Sequence, residues 1–558
     1  MMRVDQVTLQ YEEVKQPTLN HIQFSVEQGE RVLLLGPSGC GKSSLTYCLN
    51  GLYPRDLDGI LEGNIYIKDR KSVEYEPGEL SQVVGVVFQD PESQFCMLTV
   101  EDEIAFGLEN IGVKQERMEE RIEYALDLVG MREYRNATIS SLSGGWKQKL
   151  ALACVLVLEP NILILDEPTA NLDPIASVEF IKTIHTLQQE QGFTLIVIEH
   201  LLDPWMPLID RCIILNKNGH LIFDGLPIEG FSQHYQQLKE QGIWIPHSLA
   251  LGEALKSVGL LNEECIPLEE KELIEEVKDV DGVIQHLLSM RMVARKETYS
   301  TDTILSAKNI SFGTLKKDIL KDVSIDLETG DMLAIVGPNG AGKSTLSHLL
   351  SGIKKVSGGE IRLHHQLLHS YRDDELRKQI GFVFQNPEHQ FITDSVYEEI
   401  AFGLKMQGVT GEALDKKVGE IITTCQLNGL ENEHPFVLSQ GQKRRLSVAT
   451  MIVDEQQILI LDEPTFGQDA KSTEELMNLL VERQKRGSSI ILVTHDMNLV
   501  HQYANKVVVL KDGGVAFDGS PEDLWEQDPL FLQEMNLLLP FEKKIEQDLQ
   551  RRARVYVS

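Results

Sequence analysis

The octet Gly36-Pro37-Ser38-Gly39-Cys40-Gly41-Lys42-Ser43 returns in the same spacing as Gly337-Pro338-Asn339-Gly340-Ala341-Gly342-Lys343-Ser344. The first copy follows the apolar run Val32-Leu33-Leu34-Leu35 and opens into Ser44-Leu45-Thr46, a strand–loop–helix pattern. A Gly, four residues, then Gly-Lys-Ser is the spacing of a phosphate-cradling P-loop. Glycines let backbone N–H groups converge on phosphate oxygens without a Cβ clash. The helix start adds partial positive charge, the lysine a full one, and the serine hydroxyl can ligate Mg²⁺. A Gly-rich turn alone would be an ordinary connection, but the complete motif behind a buried-strand pattern argues against that.

Other landmarks repeat at nearly the same offset. Phe88-Gln89 returns as Phe384-Gln385, and Leu142-Ser143 as Leu438-Ser439. Leu165-Asp166-Glu167-Pro168-Thr169 returns as Leu461-Asp462-Glu463-Pro464-Thr465, and His200 as His495. The exits match too, Asp224-Gly225-Leu226-Pro227 against Asp518-Gly519-Ser520-Pro521. Ordered landmarks at one offset mean a tandem duplication of one nucleotide-binding domain. Within each half, short β-type runs (83–88, 162–165 and 195–198; 380–384, 458–461 and 490–493) alternate with helical stretches (100–109; 396–406). That predicts an α/β core with a largely parallel sheet and ligand at the carboxyl ends of its strands. The expected division is a first domain over 1–232, a connector over 233–302, a second domain over 303–530 and a tail over 531–558.

Composition narrows the partners. The 558 residues carry 85 Asp and Glu against 53 Lys and Arg, a formal charge of −32. Such acidity opposes charge-driven binding to nucleic acid or to an anionic membrane surface. Seven scattered cysteines with no CxxC suit a reducing compartment rather than a disulfide frame or metal site. No signal peptide is evident, and the longest apolar run near the middle of the first half, Leu150 to Leu158, is far too short to span a bilayer. The expectation is a cytosolic protein without direct membrane insertion, reaching membranes only through a partner. In the connector, residues 262–281 hold nine acids against two lysines, yet Leu268, Leu273, Ile274 and Val277 keep helical spacing. They predict a small helical spacer with an acidic solvated face. The tail mixes an apolar stretch with Arg551, Arg552 and Arg554, and suits either packing on the body or dimerisation.

Taken together, these motifs resemble the ATP-binding cassette (ABC) ATPases over nearly the whole chain except connector and tail. The resemblance implies two tandem P-loop domains, each with a mainly parallel core plus antiparallel β and helical arm subdomains. It also implies ATP and Mg²⁺ as cofactors. Nucleotide would be held by Gly36, Ser38, Gly39, Gly41, Lys42, Ser43 and Ser44, and by Gly337, Asn339, Gly340, Gly342, Lys343, Ser344 and Thr345. Asp166 and Asp462 would face Mg²⁺ with Ser43 and Ser344, while Gln89 and Gln385 sense metal and water. Glu167 and Glu463 would polarise the attacking water, and His200 and His495 contact the γ-phosphate. Ser143 and Gly145, with Ser439 and Gly441, would bind the γ-phosphate of ATP held by the other half. Tyr11 would stack on adenine; Phe312 is the looser counterpart, with core packing as its competing reading.

Physical logic stands beside the resemblance. Phosphoanhydride hydrolysis needs charge neutralisation and in-line water more than covalent chemistry. An Asp-Glu pair behind four apolar β residues supplies a metal-facing acid and a general base. The signature loops depart from the family pattern: Trp146 follows Leu-Ser-Gly-Gly where Gln is usual, and Gln440 replaces a Gly in the second half. Two hydrolytic sites, with rates free to differ, are expected.

After each Phe-Gln the chain reads Asp90-Pro91-Glu92-Ser93-Gln94-Phe95 and Asn386-Pro387-Glu388-His389-Gln390-Phe391. Then come Val100-Glu101-Asp102-Glu103-Ile104-Ala105-Phe106-Gly107-Leu108 and Val396-Tyr397-Glu398-Glu399-Ile400-Ala401-Phe402-Gly403-Leu404. These segments are similar to the ATPase subunits of energy-coupling factor (ECF) transporters, importers of vitamins and transition-metal ions. That resemblance implies that Gln94, Phe95, Gln390 and Phe391 line grooves for cytoplasmic helices of a transmembrane T component, with cargo chosen by a separate S component. It implies a peripheral location on the cytoplasmic face of the cell membrane. The fusion of two ATPases, with Thr465-Phe466-Gly467-Gln468-Asp469, resembles the YkoD-like subset linked to thiamine or hydroxymethylpyrimidine. Fused sugar-importer ATPases share the architecture but would lack the doubled Pro-Glu-x-Gln-Phe. Ribosome-acting tandem cassettes would offer a basic surface where this connector is acidic. A non-catalytic scaffold is disfavoured by intact catalytic residues in both halves.

Overall fold

The computed structural model describes all residues except 12–15, 56, 171, 295–301, 315–316, 407, 454–455 and 558, and leaves aside the side chains at 77, 291–294, 314, 317, 440 and 555–557. The chain divides into two compact units, Met1–Lys278 with Asp469–Lys471, and Asp279–Gln468 with Ser472–Ser558. The expected end of the connector falls partly on 295–301, outside the described residues.

Unit 1 holds β1 (Met2–Gln10), β2 (Leu19–Val26), β3 (Arg31–Leu35), β4 (Ile60–Ile67), β5 (Arg70–Lys71), β6 (Val84–Val87), β7 (Ile162–Asp166), β8 (Thr194–Ile198), β9 (Arg211–Leu215) and β10 (Leu221–Gly225). The strands form a six-stranded sheet of order β10-β9-β3-β8-β7-β6 and a four-stranded sheet of order β2-β1-β4-β5. In the larger sheet every pairing from β9 to β6 is parallel, and only β10 runs antiparallel. In the smaller sheet β1 pairs antiparallel with β2 and β4, and β4 with β5.

Burial explains the pattern. β7 (Ile-Leu-Ile-Leu-Asp) and β8 (Thr-Leu-Ile-Val-Ile) are buried at every position, as a strand covered on both faces must be. Their odd and even residues feed different cores: Leu163 and Leu165 join Phe180, Ile184 and Phe231 on one face. Ile162 and Ile164 join Leu45, Cys48 and the β1–β2 apolar residues on the other.

Unit 2 repeats this plan with β11 (Thr303–Thr314), β12 (Lys317–Glu328), β13 (Met332–Val336), β14 (Gly358–Leu363), β15 (Gln366–Leu367), β16 (Ile380–Val383), β17 (Ile458–Asp462), β18 (Ser489–Val493), β19 (Lys506–Lys511) and β20 (Gly514–Gly519). The orders are β16-β17-β18-β13-β19-β20 and β12-β11-β14-β15, the same topology by position as in unit 1. The expected α/β class, with parallel cores, antiparallel sheets and helical arms, is therefore what the chain forms.

The arm helices Val100–Asn110 and Val396–Met406 fall where the sequence places them. In the connector, Glu270–Glu276 forms a helix closed by a Glu269–Glu272 capping box, with Leu268, Leu273 and Val277 buried. Its apolar spacing thus reflects packing, with the acids left to solvent. The tail packs on unit 2: Leu532, Met535 and Leu537 share a core with Trp525, Val507 and Val509. The last helix, Phe541–Val557, buries Ile545 and Leu549 and lies against Val280–Ala294. Among the described residues no helix is long and apolar enough to cross a membrane.

Candidate active sites

Each P-loop joins a central parallel strand, β3 or β13, to a helix, Lys42–Leu49 or Lys343–Leu350. Gly41 (φ 101°) and Gly342 (φ 104°) precede those helices in left-handed conformation. A Cβ on Gly41 would lie 2.8 Å from Leu19 Cδ2, and one on Gly342 2.6 Å from Leu320 Cδ2, so neither position admits a side chain without displacement. Gly39 and Gly340 share the left-handed region, at φ 78° and 80°. Gly36 and Gly337 open the two loops, and Ser38 and Asn339 lie between these glycines.

Both lysines are buried and folded back onto their own loops. Lys42 Nζ donates to the carbonyls of Gly36 (2.7 Å) and Pro37 (3.1 Å). Lys343 Nζ donates to Gly337 (2.8 Å) and Pro338 (3.0 Å). Each cation is thus centred in its loop. Ser43, Ser44, Ser344 and Thr345 occupy the first turn of each helix. The Tyr11 hydroxyl lies 2.7 Å from Ser44 Oγ, and its ring meets Tyr53 edge-on at 5.7 Å. Phe312 packs on the core of unit 2 with Lys354 Nζ 5.7 Å from its ring centre, which joins it to the P-loop side of the sheet.

The acidic pairs end β7 and β17. Glu167 (φ 47°) and Glu463 (φ 48°) are left-handed, a conformation that costs a non-glycine residue about 1–2 kcal/mol. Their amides donate to Ile198 (2.9 Å) and Val493 (3.0 Å), which holds each turn in place. Burial pushes the Asp166 carboxyl up to about 6, helped by Glu167 and opposed by the Ser43 hydroxyl. Asp462 is raised in the same way, with Ser344 opposing. Asp462 Oδ1 is buried with no hydrogen-bond partner, an acceptor suited to a hard cation. Among the described residues no group of three His, Cys, Asp or Glu side chains could hold a metal. One carboxylate and one hydroxyl fit a Mg²⁺ whose remaining oxygens come from nucleotide and water.

The two catalytic clusters differ electrostatically. In unit 1, Glu167 Oε1 lies 2.8 Å from His200 Nε2, and Gln89 Nε2 donates to Glu167 Oε2 at 2.5 Å. Burial alone would raise Glu167, but the His200 charge and hydrogen bond, with Lys42, bring it below the ordinary range. Burial lowers and Glu167 raises His200, which ends above its ordinary value. Glu199, which the sequence reading missed, lies beside it: buried, it accepts from the His200 amide (2.7 Å) and from Thr169, and its charge adds to the raising of His200.

In unit 2 the residue before the histidine is Thr494, so the extra acid is missing. His495 Nε2 is 3.3 Å from Glu463 Oε1, and no hydrogen bond joins exposed Gln385 to Glu463. Burial pushes Glu463 up to about 8 and His495 down to about 3, a pair held neutral. A carboxyl that stays protonated when folded but ionises at about 4.5 when unfolded makes stability fall as pH rises from about 4.5 to 8. Glu463→Gln is therefore expected to raise the melting temperature by several degrees at pH 8, at about 2–4 °C per kcal/mol, with the gain vanishing near pH 4. Glu167 is depressed and contributes stability above its unfolded pKa, so Glu167→Gln gives no such gain. Calorimetry of both variants across pH checks this.

The signature helices, Gly144–Leu156 and Gln440–Ile452, start at Ser143 and Ser439. Ser439 and Gln442 form a capping box, with the Ser439 amide on Gln442 Oε1 at 2.9 Å. In unit 1 Trp146 stands at that place, stacks on Tyr134 at 4.3 Å, and leaves the Ser143 side chain without a cap bond. Gly145 and Gly441 lie in the first turn of each helix.

The Gln-Phe pairs bond and pack within their own units. Gln94 bonds the Phe88 amide (3.1 Å) and the Val86 carbonyl (3.3 Å), while Phe95 packs on the core. Gln390 bonds Ser447 and Thr450, and Phe391 is buried against Phe436. Buried Glu103 and Glu399 fix the loops that follow, accepting from the amides of Cys96 and Met97 and of Ile392 and Thr393. Those loops and arms also expose large apolar side chains: Leu98 is 82% exposed, Met406 76%, Ile392 67% and Val437 61%.

The ABC transporter family model matches residues 19–170 and 320–466. YkoD of Bacillus subtilis (strain 168), provisionally named an HMP/thiamine import ATP-binding protein, is 45% identical over 97% of this chain and 95% of its own. A provisionally named ABC transporter ATP-binding protein of Clostridium perfringens (strain 13 / Type A) is 38% identical over 91% of this chain and 88% of its own. The solved structure of cbiO1 from Clostridium perfringens, titled as part of the ABC transporter complex cbiONQ, is 34% identical, covers 44% of this chain and 99% of its own, and has a TM-score of 0.38. With two matches to the family model and a full-length relative at that identity, this chain belongs to the ABC transporter ATP-binding proteins and carries two of their ATPase domains in one polypeptide.

Proposed function

We propose that the chain hydrolyses ATP at two composite sites and drives an ECF-type importer. Each ATP is held by one P-loop and by the Leu-Ser helix of the other half. Lys42 and Lys343 turn from their own carbonyls to the β- and γ-phosphates. Ser43, Asp166 and Gln89, and likewise Ser344, Asp462 and Gln385, hold Mg²⁺. When bound, that ion neutralises the phosphates' developing charge. Glu167 and Glu463 orient and deprotonate the attacking water, His200 and His495 reach the γ-phosphate, and Ser143 and Ser439 complete the sites. Tyr11 carries the adenine of the first nucleotide. The observation that carries this reading is the doubling of the whole Lys–Ser–Asp–Glu–His set at the strand ends of both units.

Closure on ATP moves the arms, and hydrolysis reopens them. The exposed apolar residues Leu98, Ile392, Met406 and Val437 suit helices of a transmembrane T component, in grooves shaped by Gln94, Phe95, Gln390 and Phe391. A separate S component selects the cargo, and the chain works at the cytoplasmic face of the membrane. The name of the Bacillus subtilis relative supports HMP or thiamine as that cargo.

Co-expression with candidate membrane subunits, followed by uptake of radiolabelled thiamine, HMP, other vitamins and transition-metal ions, tests the reading. ATP-dependent uptake of one of them is expected; hydrolysis with no membrane partner and no uptake overturns it. In the same assay, Leu98→Glu with Ile392→Glu is expected to release the membrane subunits and abolish uptake while leaving ATP affinity within about twofold. Retained uptake would place the docking surface elsewhere.

A further inference from the structure

The signature helix of unit 2 is tied to its own Gln385 loop in a way that unit 1 does not reproduce. Arg444, buried on that helix, reaches across to the strand end: Nη1 donates to the Phe384 carbonyl at 2.6 Å and Nη2 to the Gln385 carbonyl. Two further ties lie beside it. Lys443 pairs with Glu388 at 2.6 Å, and Gln390 exchanges hydrogen bonds with Ser447 and donates to Thr450.

In unit 1 only the first of these has a counterpart, Lys147 with Glu92. Gln94 turns to β6 and its exit rather than to the helix. The residue in the place of Arg444 is Gln148, equally buried, whose Nε2 finds no hydrogen-bond partner. A buried guanidinium is expensive to desolvate, and here burial pulls Arg444 down to about 10, which still leaves it charged at neutral pH. So this arginine also sets positive charge behind the acids of its own unit.

We propose that Arg444 is a positioning residue that carries the state of the Ser439 helix N-terminus to the Gln385 loop, so that the two ATP sites are linked through the second half and not through the first. The inference rests on the sandwich reading above, in which Ser439 touches the nucleotide on Lys42 while Gln385 serves the nucleotide on Lys343. A shift of the helix on meeting the first nucleotide then moves the Phe384–Gln385 backbone through a two-pronged grip. The first half, with Gln148, transmits no equivalent movement.

A double-mutant cycle on the full chain tests this. Arg444→Gln, which installs the residue unit 1 tolerates at the same place, is expected to lower kcat about tenfold with affinity for a fluorescent ATP analogue within twofold. Ser439→Ala is expected to lower kcat as well. The double variant should be no slower than the slower single one, because both cut the same path. Hydrogen exchange at amides 384–390 should slow on adding ATP in the wild-type chain and not in Arg444→Gln. Arg444→Lys can still donate to two neighbouring carbonyls, as Lys42 does, and should recover at least half of kcat. It carries the test if the Gln variant does not fold.

Multiplicative losses in the double variant, or ATP-dependent protection at 384–390 that survives Arg444→Gln, would overturn the inference. A Ser439→Ala chain with wild-type kcat would instead remove the sandwich reading beneath it.

Discussion

Replacing both Glu167 and Glu463 by Gln is expected to cut ATP turnover by about 10²–10⁴-fold, the span of a lost general base, while ATP still binds. The geometry explains why so small a change should matter. Each carboxylate sits at the end of a fully buried strand in a left-handed turn, facing a histidine at 2.8 Å in unit 1 and 3.3 Å in unit 2. Gln keeps the shape and removes the proton acceptor. Each single variant should lose turnover as well, because each removes the base of one site. The pair of bases starts unequal: Glu167 is held ionised by His200, whereas Glu463 is held protonated by burial and must lose its proton before it can act. Nucleotide binding measured beside steady-state turnover separates the outcomes; unchanged hydrolysis by the double variant would remove both glutamates from the chemistry.

The second large effect is expected at the P-loops. Lys42→Ala and Lys343→Ala each delete a buried cation whose ammonium is now held by two loop carbonyls. Losing one preorganised donor to a developing oxyanion costs about 10²–10³-fold in kcat. Because the same charge also meets the ground-state phosphates, ATP affinity should fall with it, unlike in the Glu→Gln variants. Titration with a fluorescent ATP analogue and turnover on the same samples check this; a Lys42→Ala chain that keeps both affinity and rate would contradict it.

The duplicated fold was legible because its signals are local and repeated. The all-apolar runs that become β7, β8, β17 and β18 announce doubly covered strands, and Gly-x₄-Gly-Lys-Ser fixes the strand–loop–helix turn. The helices Val100–Asn110 and Val396–Met406 follow from periodicity and, in the first, a Thr99 cap. The inequality of the two catalytic clusters was not legible. It depends on Glu199 standing where unit 2 has Thr494, and on Gln89 folding onto Glu167 while Gln385 stays exposed. No motif marks Glu199 or Arg444, whose partners Thr169 and Phe384 lie 30 and 60 residues away in sequence. A signal was present at one point: an acid directly before one histidine and a threonine before the other. The motif repeat likewise did not show that Gln94 bonds β6 and its exit while Gln390 bonds the helix at Ser447 and Thr450.

Both nucleotides are expected to be gripped between opposing halves. A structure of the Glu167→Gln/Glu463→Gln chain loaded with ATP and Mg²⁺ measures it most directly. The γ-phosphate of the ATP on Lys42 is expected within hydrogen-bond reach of Ser439, and that on Lys343 within reach of Ser143. Nucleotides held by their P-loops alone, with neither serine in contact, would contradict it.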